Sequence, residues 1–439
     1  MTSDGNSTEC FVYITLPGET EPITAARFVQ ERQRSGLTIG RIVYGRRYLS
    51  RPDAIAFDPL ELKLSDRIYE TVSMGGIFGA LRDAGPDYWG RRVIERHVGS
   101  PQLGELDYLL HSPDDRAGAL GFGLNQVPPA PLREFNKTIQ LAKLQEIADA
   151  VIAGDAAHAG LEATQVEELL LVGTSMGGAR PKAVVEDSEG LWIAKFNRTD
   201  DRWYMARVEH AMLELARTCG LNVAKSRLES IGDRDVLLVK RFDRERTDSG
   251  YHRARMISGL TLLRSDEGQE SRNRWSYILL AEELRRVSSQ PDIDAQELFR
   301  RMCFNALISN SDDHPRNHAI IARHGDWRLS PAYDLTPTSP ISQNRRDLAM
   351  VIGDQGRFAN ALNLLSQSIR FTLNLKAAEA IIFDMTRIVT DRWYEIARSV
   401  GVSESDCALI SGAFAYPGFD LKAPVERTRL RAYDFGNDN

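Results

Sequence analysis

Two short polar segments, each bracketed by apolar runs, place the strongest constraint on how this chain can fold. The first reads Asn-Ser-Asp-Asp-His-Pro-Arg-Asn-His at positions 310–318, and the second reads Ser-Pro-Ala-Tyr-Asp-Leu at positions 330–335. Helix-like apolar residues 304–308 precede the first segment, and the strand-like residues 319–322 follow it. The order along the chain is therefore an acid, an amide five residues later, a short hairpin and a second acid.

This order of acidic and amide groups predicts a site for a hard cation beside a phosphate. Mg²⁺ binds to one or two protein carboxylates together with phosphate oxygens, and Asp334, helped by the amide of Asn317, suits that role. Asp312 stands five residues before Asn317, where a base would accept the proton of a substrate hydroxyl group. The two segments thus favour phosphoryl transfer, with ATP and Mg²⁺ as the implied cofactors.

Two other interpretations of the same residues stay open at this point. His314 and His318 are four residues apart, as in a zinc hydrolase, but Pro315 between them disfavours a continuous helix and the general-base Glu of HExxH is missing. The run could also be an ordinary polar loop. Three acidic or amide groups with Asp334 nearby favour the hard cation over both alternatives.

A glycine-rich segment at 173–182 is a candidate phosphate-binding loop. It follows the apolar residues 169–172, and its closely spaced glycines would let backbone N–H groups approach phosphate oxygens while its basic end adds positive charge. The spacing matches neither GxxxxGK[ST] nor GxGxxG. An ordinary glycine-rich turn explains the segment equally well when it is considered alone.

Lys195 is the single charge in the strand-like segment 190–196. Burying an unpaired ammonium group costs several kcal/mol, so Lys195 should meet an anion. Glu209, in the helix-like segment 208–216, is the predicted partner. The alternative is that Lys195 reaches solvent from the end of its strand.

The remaining patterns predict a β-rich first part and a helical second part. Strands are predicted at 11–16, 41–45, 190–196 and 235–242, and helices at 141–152, 208–216, 278–286, 296–307, 377–388 and 392–400. Pro86 is expected in the first turn of a further helix. The Pro-rich stretch 127–131 is expected to be a linker.

The length of 439 residues exceeds what one hydrophobic core usually serves, so several subdomains are expected. We predict a β-rich N-terminal subdomain at 1–125 and the rest of the N-terminal lobe, with the glycine-rich loop, the nucleotide lysine and a hinge, at 126–245. The helical catalytic lobe is predicted at 246–439. A net charge of −6 argues against a surface that is basic over the whole molecule.

The composition also indicates the cellular compartment in which the protein works. No apolar run approaches the roughly 20 residues of a membrane span, and residues 1–10 are polar and acidic rather than typical of a secretion signal. The four cysteines lie far apart without a CxxC pair, so free thiols are expected at Cys10, Cys219, Cys303 and Cys407. These features predict a cytoplasmic protein without a membrane partner.

The order of the segments decides the fold class. A glycine-rich loop, a strand lysine, a helix glutamate, a second strand, a helical lobe, an Asp and Asn pair, and a final Asp follow one another as in protein kinases. The predicted fold class is α+β, a protein-kinase-like two-lobed fold. Its N-terminal part is β-rich, its C-terminal lobe is mostly α-helical, and nucleotide binds between the lobes.

With these segments in place, the chain resembles the HipA family, the kinase toxins of bacterial type II toxin–antitoxin pairs. The resemblance covers nearly the whole chain. It rests on positions 78–81, 86–91 and 115–120 in the N-terminal part, and on 175–182, 239–243, 312–317 and 333–335 in the kinase part. Each motif is modest alone, but together they are specific.

The resemblance implies a role for each matching position. Asp312 matches the catalytic base, Asn317 and Asp334 match the metal ligands, and Lys195 matches the lysine on the nucleotide phosphates. The other positions matched to the nucleotide site are Gly177, Gly178, Ala179, Arg180, Pro181 and Lys182 of the phosphate-side loop, Lys240, Arg241 and Phe242 of the hinge whose backbone meets adenine, and His314, Asn317 and Tyr333.

Ser175 matches a serine that family members autophosphorylate, which ejects the loop and silences the kinase. A phosphate adds up to two negative charges beside a site built for anions, so repulsion would expel the loop. Phosphorylation of Thr174 would serve equally well. Lys240 stands at a hinge position that is acidic in some family members, and little effect on ATP binding is expected because the hinge contacts use backbone atoms.

The function implied by the resemblance is an ATP- and Mg²⁺-dependent serine/threonine protein kinase that acts as a growth-inhibiting toxin. Its partners would be a small helix-turn-helix antitoxin similar to HipB, operator DNA reached through that antitoxin, and a protein substrate such as an aminoacyl-tRNA synthetase. Two alternatives stay open. One is a nucleotide-binding corepressor that needs no catalysis, and the other is a small-molecule phosphotransferase.

Overall fold

The structure is a computed structural model of the 439-residue chain. It describes residues 8–100, 103–153, 180–338 and 342–419. Within these ranges most strands lie in the first part of the chain and the long helices lie in the second part. This is the α+β organisation predicted from the sequence.

The N-terminal part is built on an antiparallel sheet. Its strands are β1 (Glu9–Thr15), β2 (Pro22–Arg32), β3 (Thr38–Tyr44), β4 (Tyr69–Thr71) and β5 (Leu120–Gly123). They lie in the order β4-β3-β2-β1-β5. Val12 and Ile14 of β1 are fully buried, as the alternating pattern requires. The strands predicted at 11–16 and 41–45 are confirmed as β1 and β3.

Four helices accompany this sheet: α1 (Arg46–Leu49), α2 (Gly79–Asp83), α3 (Tyr88–Val98) and α4 (Glu105–His111). The start of α3 differs from the prediction for Pro86. The helix begins at Tyr88, because the carboxylate of Asp87 accepts a hydrogen bond of 2.7 Å from the backbone N–H of Gly90 and so caps the helix. Pro86 therefore precedes the cap.

A second sheet follows the Pro-rich stretch. Its strands are β6 (Asn136–Lys137), β7 (Lys182–Asp187), β8 (Gly190–Lys195), β9 (Ser226–Ile231) and β10 (Arg234–Lys240). They lie in the order β6-β7-β8-β10-β9. Helix α5 (Leu141–Ala153) packs on one face of this sheet and helix α6 (Met205–Thr218) on the other. The predicted strands at 190–196 and 235–242 are confirmed as β8 and β10.

Side-chain alternation in β8 decides which residues reach the interior between the lobes. Trp192 and Ala194 are buried in the cluster that includes α5. Ile193 and Lys195 project to the opposite face, because successive side chains of a strand alternate. This register places the single lysine of the strand on the face that borders the helical lobe.

The rest of the described chain is mostly helical. It contains the hairpin β11 (Arg244–Thr247) and β12 (Gly250–Arg253), the small sheet β13 (Arg255–Ser258), β14 (Ala319–Ala322) and β15 (Arg328–Leu329), and the helices α7 (Gly259–Leu262), α8 (Tyr277–Val287), α9 (Pro291–Leu307), α10 (Ala361–Ser366), α11 (Leu375–Ser399) and α12 (Glu404–Ile410). The boundary predicted at 245 falls inside β11.

The helices predicted at 278–286 and 296–307 are confirmed as α8 and α9. The prediction of separate helices at 377–388 and 392–400 is wrong, because α11 runs through both as one helix of 25 residues. Val389 is fully buried between the two predicted segments. The apolar stripe therefore continues across the gap, and no Pro or Gly interrupts it.

Buried ion pairs join the N-terminal part to the segment after β10. The guanidinium of Arg241 is fully buried and pairs with Asp115 and, at 2.8 Å, with Asp243. Arg244 lies 2.7 Å from Asp243. Burial opposes the charge on Asp243, but the two arginines outweigh it and hold the pKa of this carboxyl below its usual value. The segment after β10 is thus fixed to the N-terminal part.

The structure also bears on the compositional predictions. All four cysteines are free thiols, as predicted. Across the described residues, no helix combines the length and the apolar character needed to cross a membrane.

Candidate functional site

A cleft lies between the second sheet and the helical lobe. The empty space in the cleft, with its open solvent included, is about 990 Å³. The predicted site residues that line it are Lys195, Lys240, Arg241, Phe242, His314, Asn317, Tyr333 and Asp334. Residues that the sequence did not single out also line it, among them Asp83, Pro86, Asp87, Ile193, Asp243, Ser258 and Arg316. The N-terminal part, the second sheet and the helical lobe therefore share the cleft.

Lys195, the last residue of β8, is held by two carboxylates. Its Nζ lies 2.5 Å from Oε1 of Glu209 and 2.8 Å from Oδ1 of Asp334. Burial by itself lowers the pKa of Lys195, but Asp334 and Glu209 outweigh burial and hold the pKa above its usual value. The structure brings the predicted pair of Lys195 and Glu209 together, and the lysine carries its charge into the cleft.

Asp334 supplies an ionised carboxylate on the opposite side of the cleft. Burial opposes its charge, but Lys195 lowers the pKa of Asp334 to about 2. The backbone of Asp334 is left-handed, with φ of +59°, and such sparsely populated conformations of non-Gly residues cluster at functional sites. Its side chain keeps 38% of its surface exposed. A charged and accessible carboxylate of this kind suits a hard cation.

The first polar segment forms a loop between α9 and β14. It turns through Ser309, whose φ is +55°, and ends in a single turn of 3₁₀ helix, Pro315–Asn317. Asp312 is open to solvent and is not among the residues that line the cleft, whereas Asn317 is buried in the wall of the cleft. The side-chain N–H of Asn317 donates to the carbonyl oxygen of Asp312 at 3.4 Å. This contact leaves the amide oxygen of Asn317 as a ligand atom.

The electrostatic setting of Asp312 differs from that of Asp334. Partial desolvation raises the pKa of Asp312, the nearby His314 opposes this rise, and Asp334 adds to it. A general base works best when its pKa lies near the operating pH. The direction of the shift therefore suits a carboxylate that accepts a proton.

Asp313, the neighbour of Asp312 in the sequence, is buried beneath the loop. Its Oδ2 accepts hydrogen bonds from the hydroxyl of Tyr277 and from Nε2 of His318, the latter at 2.9 Å. Asn305 in α9 donates to the Tyr277 hydroxyl oxygen at 3.1 Å. These four side chains form a buried polar network that supports the loop, and the sequence analysis did not anticipate it.

The same network accounts for His318, which sequence spacing had linked to His314 as a possible pair of zinc ligands. His318 pairs with the buried Asp313, whereas His314 lines the cleft with its ring 6.4 Å from that of Trp275. Within the described ranges, the structure holds no group of three or more His, Cys, Asp or Glu side chains that could bind a metal ion. The two histidines thus lie in different environments.

A close approach between backbones fixes the loop against α7. The backbone N–H of Gly259 donates to the carbonyl oxygen of His318 at 2.7 Å. A Cβ atom at position 259 would lie 2.7 Å from the carbonyl oxygen of Pro315, which is closer than side chains tolerate. Glycine at 259 therefore lets the loop lie directly on the start of the helix.

Lys240 and Arg241, which were predicted to form the hinge, place their charged groups in contacts with the protein. Lys240 donates to the carbonyl oxygen of Glu189 and places its ammonium group 4.8 Å from the ring centre of Trp192. The guanidinium of Arg241 is buried in the ion pairs described above. Both residues line the cleft, so the part that remains available to a ligand there is mainly their backbone.

Phe242 and Tyr333 form an aromatic wall at the same end of the cleft. Their ring centres are 5.7 Å apart at an interplanar angle of 33°. The Tyr333 hydroxyl donates to the carbonyl oxygen of Arg316 at 2.8 Å, which ties this wall to the loop. Flat apolar surfaces of this kind suit a heterocyclic base.

The phosphate-side loop is described only from Arg180 onward. Ser175, Gly177, Gly178 and Ala179, to which the sequence analysis assigned roles, lie outside the described residues. Arg180 pairs with Asp201, and the carbonyl oxygen of Pro181 accepts from the backbone N–H of Phe196 at 3.0 Å. Lys182 opens β7 and pairs with Asp87 at 2.5 Å.

Asp83 is a cleft residue that the sequence analysis missed. Its carboxylate accepts from the backbone N–H of Ser258 at 2.7 Å, from the Ser258 hydroxyl at 2.8 Å and from the Thr261 hydroxyl at 2.7 Å. It also lies 3.6 Å from Arg316 of the loop. Asp83 is the last residue of a short helix, and its partner Ser258 lies 175 residues later in the chain. No local sequence pattern indicates such a distant contact.

Together the fold and the cleft define a protein-kinase-like two-lobed architecture, with a strand lysine, its helix glutamate, and an acidic loop facing one another. The family model of the HipA-like C-terminal domain matches residues 174–393, half of the 439 residues. The chain belongs to this HipA-like family.

Several named relatives are similar over shorter stretches. "Putative kinase Y4mE" of Sinorhizobium fredii is 29% identical over 170 residues, which are 37% of this chain and 38% of that protein. A "Putative kinase" of Haemophilus influenzae is 25% identical over 39% of this chain and 54% of its own length. The chain thus spans about half of these relatives or less.

Among solved structures, HipA of Shewanella oneidensis MR-1, determined with HipB and its operator DNA, shares the fold. The TM-score is 0.65, the sequence identity is 16%, and the match covers 92% of this chain and 94% of that chain. The fold similarity therefore extends from the helical lobe through the N-terminal part.

Proposed function

We propose that this chain is an ATP- and Mg²⁺-dependent serine/threonine protein kinase and the toxin of a toxin–antitoxin pair. The observation that carries the proposal is that Lys195, paired with Glu209 and Asp334, lines the same cleft as Asn317, which stands in the loop that also contains Asp312. The relatives from Sinorhizobium fredii and Haemophilus influenzae are named as kinases, which supports the same activity.

Asp334 and Asn317 are the residues that would hold Mg²⁺. They fit the ion because both line the cleft, the pKa of Asp334 is lowered to about 2 and its carboxylate is charged at neutral pH, and the Asn317 amide oxygen is not used by the contact to Asp312. Bound Mg²⁺ would supply positive charge to the phosphate oxygens of the nucleotide.

The side chains of the cleft divide the work of phosphoryl transfer. Lys195, held in place by Glu209, would bind the phosphates of ATP, and the backbone at Lys240–Phe242 with the ring of Tyr333 would bind the adenine. Asp312 would accept the proton of the substrate hydroxyl group while the oxygen of that hydroxyl group forms a bond to the γ-phosphorus. The bond from that phosphorus to the bridging oxygen breaks, and ADP leaves.

The partners proposed for this chain follow from its relative. HipA of Shewanella oneidensis was solved with HipB and operator DNA, which supports a small helix-turn-helix antitoxin here and contact with DNA through it. The protein substrate would be one whose loss of function stops growth, such as an aminoacyl-tRNA synthetase. Ser175 would be the site of inhibitory autophosphorylation.

The test is the transfer of labelled phosphate from ATP by the wild type, Asp312→Asn and Asp334→Asn. Asp326→Asn is the matched control, since Asp326 is an exposed aspartate in the turn between β14 and β15. We expect transfer by the wild type and the control and its loss in the other two variants. Equal activity in all four proteins contradicts the proposal.

The operator DNA in the Shewanella complex also favours a second function, that of a nucleotide-binding corepressor. In that case Asp312→Asn would leave repression and growth inhibition intact. Phosphate transfer to a metabolite with no labelled protein in a lysate would instead indicate a small-molecule phosphotransferase.

A further inference from the structure

Two lysines stand directly opposite each other in the second sheet. Lys182 of β7 and Lys195 of β8 are cross-strand partners in an antiparallel pair, so their side chains project from the same face of the sheet. Like charges in this arrangement repel, and each needs its own counter-charge. Glu209 and Asp334 serve Lys195, and Asp87 serves Lys182.

The two lysines differ in what faces the cleft. Lys195 lines the cleft itself, whereas at Lys182 the lining residue is Asp87. The Lys182 side chain is 2% exposed and that of Asp87 is 6% exposed, and their charged atoms lie 2.5 Å apart. At this point of the wall the lining residue is a carboxylate, and the ammonium group paired with it belongs to a residue that does not line the cleft.

Asp87 is held firmly in this place by its own element. Its carboxylate caps α3 through the backbone N–H of Gly90, and Trp89 and Val93 of that helix are buried in the same cluster as β7 and β8. The ion-pair partner Asp87 of Lys182 thus comes from the N-terminal part, whereas the two carboxylates paired with Lys195 come from elsewhere.

We propose that Asp87 masks Lys182 from the cleft, so that the N-terminal part of the chain limits how tightly the cleft binds the phosphates of a nucleotide. This inference rests on the nucleotide-binding function proposed above and adds a determinant of affinity to it. Removing the charge of Asp87 makes this wall more positive by one unit. Phosphates should then bind more tightly, because the Coulomb energy of the added charge is favourable.

The sign of the effect separates masking from positioning. If Asp87 instead orients Lys182 toward the phosphates, as Glu209 would orient Lys195, its loss weakens binding. Asp87→Asn is the informative variant, because asparagine caps helices as well as aspartate does while it carries no charge. Lys182→Gln is the reciprocal variant, since it removes the ion-pair partner of Asp87 at the wall of the cleft.

The experiment is calorimetric titration of the full chain with MgATP and, separately, with inorganic tripolyphosphate. We expect Asp87→Asn to bind both probes more tightly, on the order of tenfold at low salt, and Lys182→Gln to bind them more weakly. The double variant should return close to the wild type. Asp107→Asn, which removes a second capping carboxylate of the N-terminal part outside the lining of the cleft, should bind like the wild type.

Unchanged or weaker tripolyphosphate binding by Asp87→Asn overturns the masking proposal. A double variant that binds no better than Lys182→Gln does so too. If neither the wild type nor Asp87→Asn binds ATP, the proposed function fails. A gain in tripolyphosphate binding by Asp87→Asn would still support masking, so the two failures are distinguishable.

Discussion

The two sides of the cleft hold their charged groups in opposite ways. On the side of the second sheet, Lys182 and Lys195 are shielded and each is bound to a carboxylate. On the side of the helical lobe, Asp312 is open to solvent and Asp334 is partly exposed. The sheet side thus holds shielded cations in ion pairs, and the other side holds acids that solvent reaches. Substitutions on the two sides should therefore change different properties.

The largest effect is expected from Lys195→Met on the sheet side. Removing this charge should lower kcat/KM for phosphoryl transfer by about 10²- to 10³-fold, a loss similar to that of other groups that stabilise transition-state charge. Lys225→Met is the matched control, because Lys225 is an exposed lysine near the same sheet, with 61% of its side chain accessible. Steady-state kinetics measure kcat/KM for both variants. An unchanged kcat/KM in Lys195→Met would show that the lysine of the sheet side does not contribute to the reaction.

The neighbours Asp312 and Asp313 test the helical side. Asp313→Ala leaves the hydroxyl of Tyr277 and Nε2 of His318 without their buried acceptor, so we expect a loss of about 3 kcal/mol in the free energy of unfolding. Asp312→Ala should change stability by less than about 0.5 kcal/mol, since no such network depends on it. Urea unfolding measures both. Equal losses of stability in the two variants would show that Asp312 and Asp313 do not differ in their support of the loop.

The smallest predicted effect is a displacement of the pH profile. An ordinary aspartate has a pKa of about 4. The pKa of Asp312 is raised above that, so its carboxylate forms at a higher pH. Activity should rise with pH through this raised pKa and fall as the pH drops below it. Asp334, whose pKa is lowered to about 2, stays ionised across this range and should not contribute. An acid limb of kcat/KM at the ordinary aspartate pKa would contradict the assignment of Asp312.

Parts of the site were predictable because a local pattern carried a physical conflict. Lys195 is a lone charge in an apolar strand, and this required a partner, which Glu209 provides in the structure. Long helices such as α8 and α9 were predictable from their periodicity, which depends on the sequence of one element alone.

Other parts depend on contacts that no local pattern contains. Asp312 and Asp313 are neighbouring residues of the same type, so the sequence does not distinguish them. Their roles differ because Tyr277 and His318 pack beneath the loop and bind to Asp313. The partner of Lys182 lies 95 residues away at the start of another helix. Two helices were predicted where α11 is continuous, and the burial of Val389 between them is set by tertiary packing.

The central claim is that the two sides of the cleft meet on a metal-bound nucleotide. It is tested most directly by calorimetric titration of ATP, with and without Mg²⁺, into the wild type and Asp334→Asn. The account predicts that Mg²⁺ strengthens ATP binding by the wild type and that Asp334→Asn loses this dependence while it still binds ATP. Absence of ATP binding by the wild type, or an equal effect of Mg²⁺ in both proteins, would contradict it.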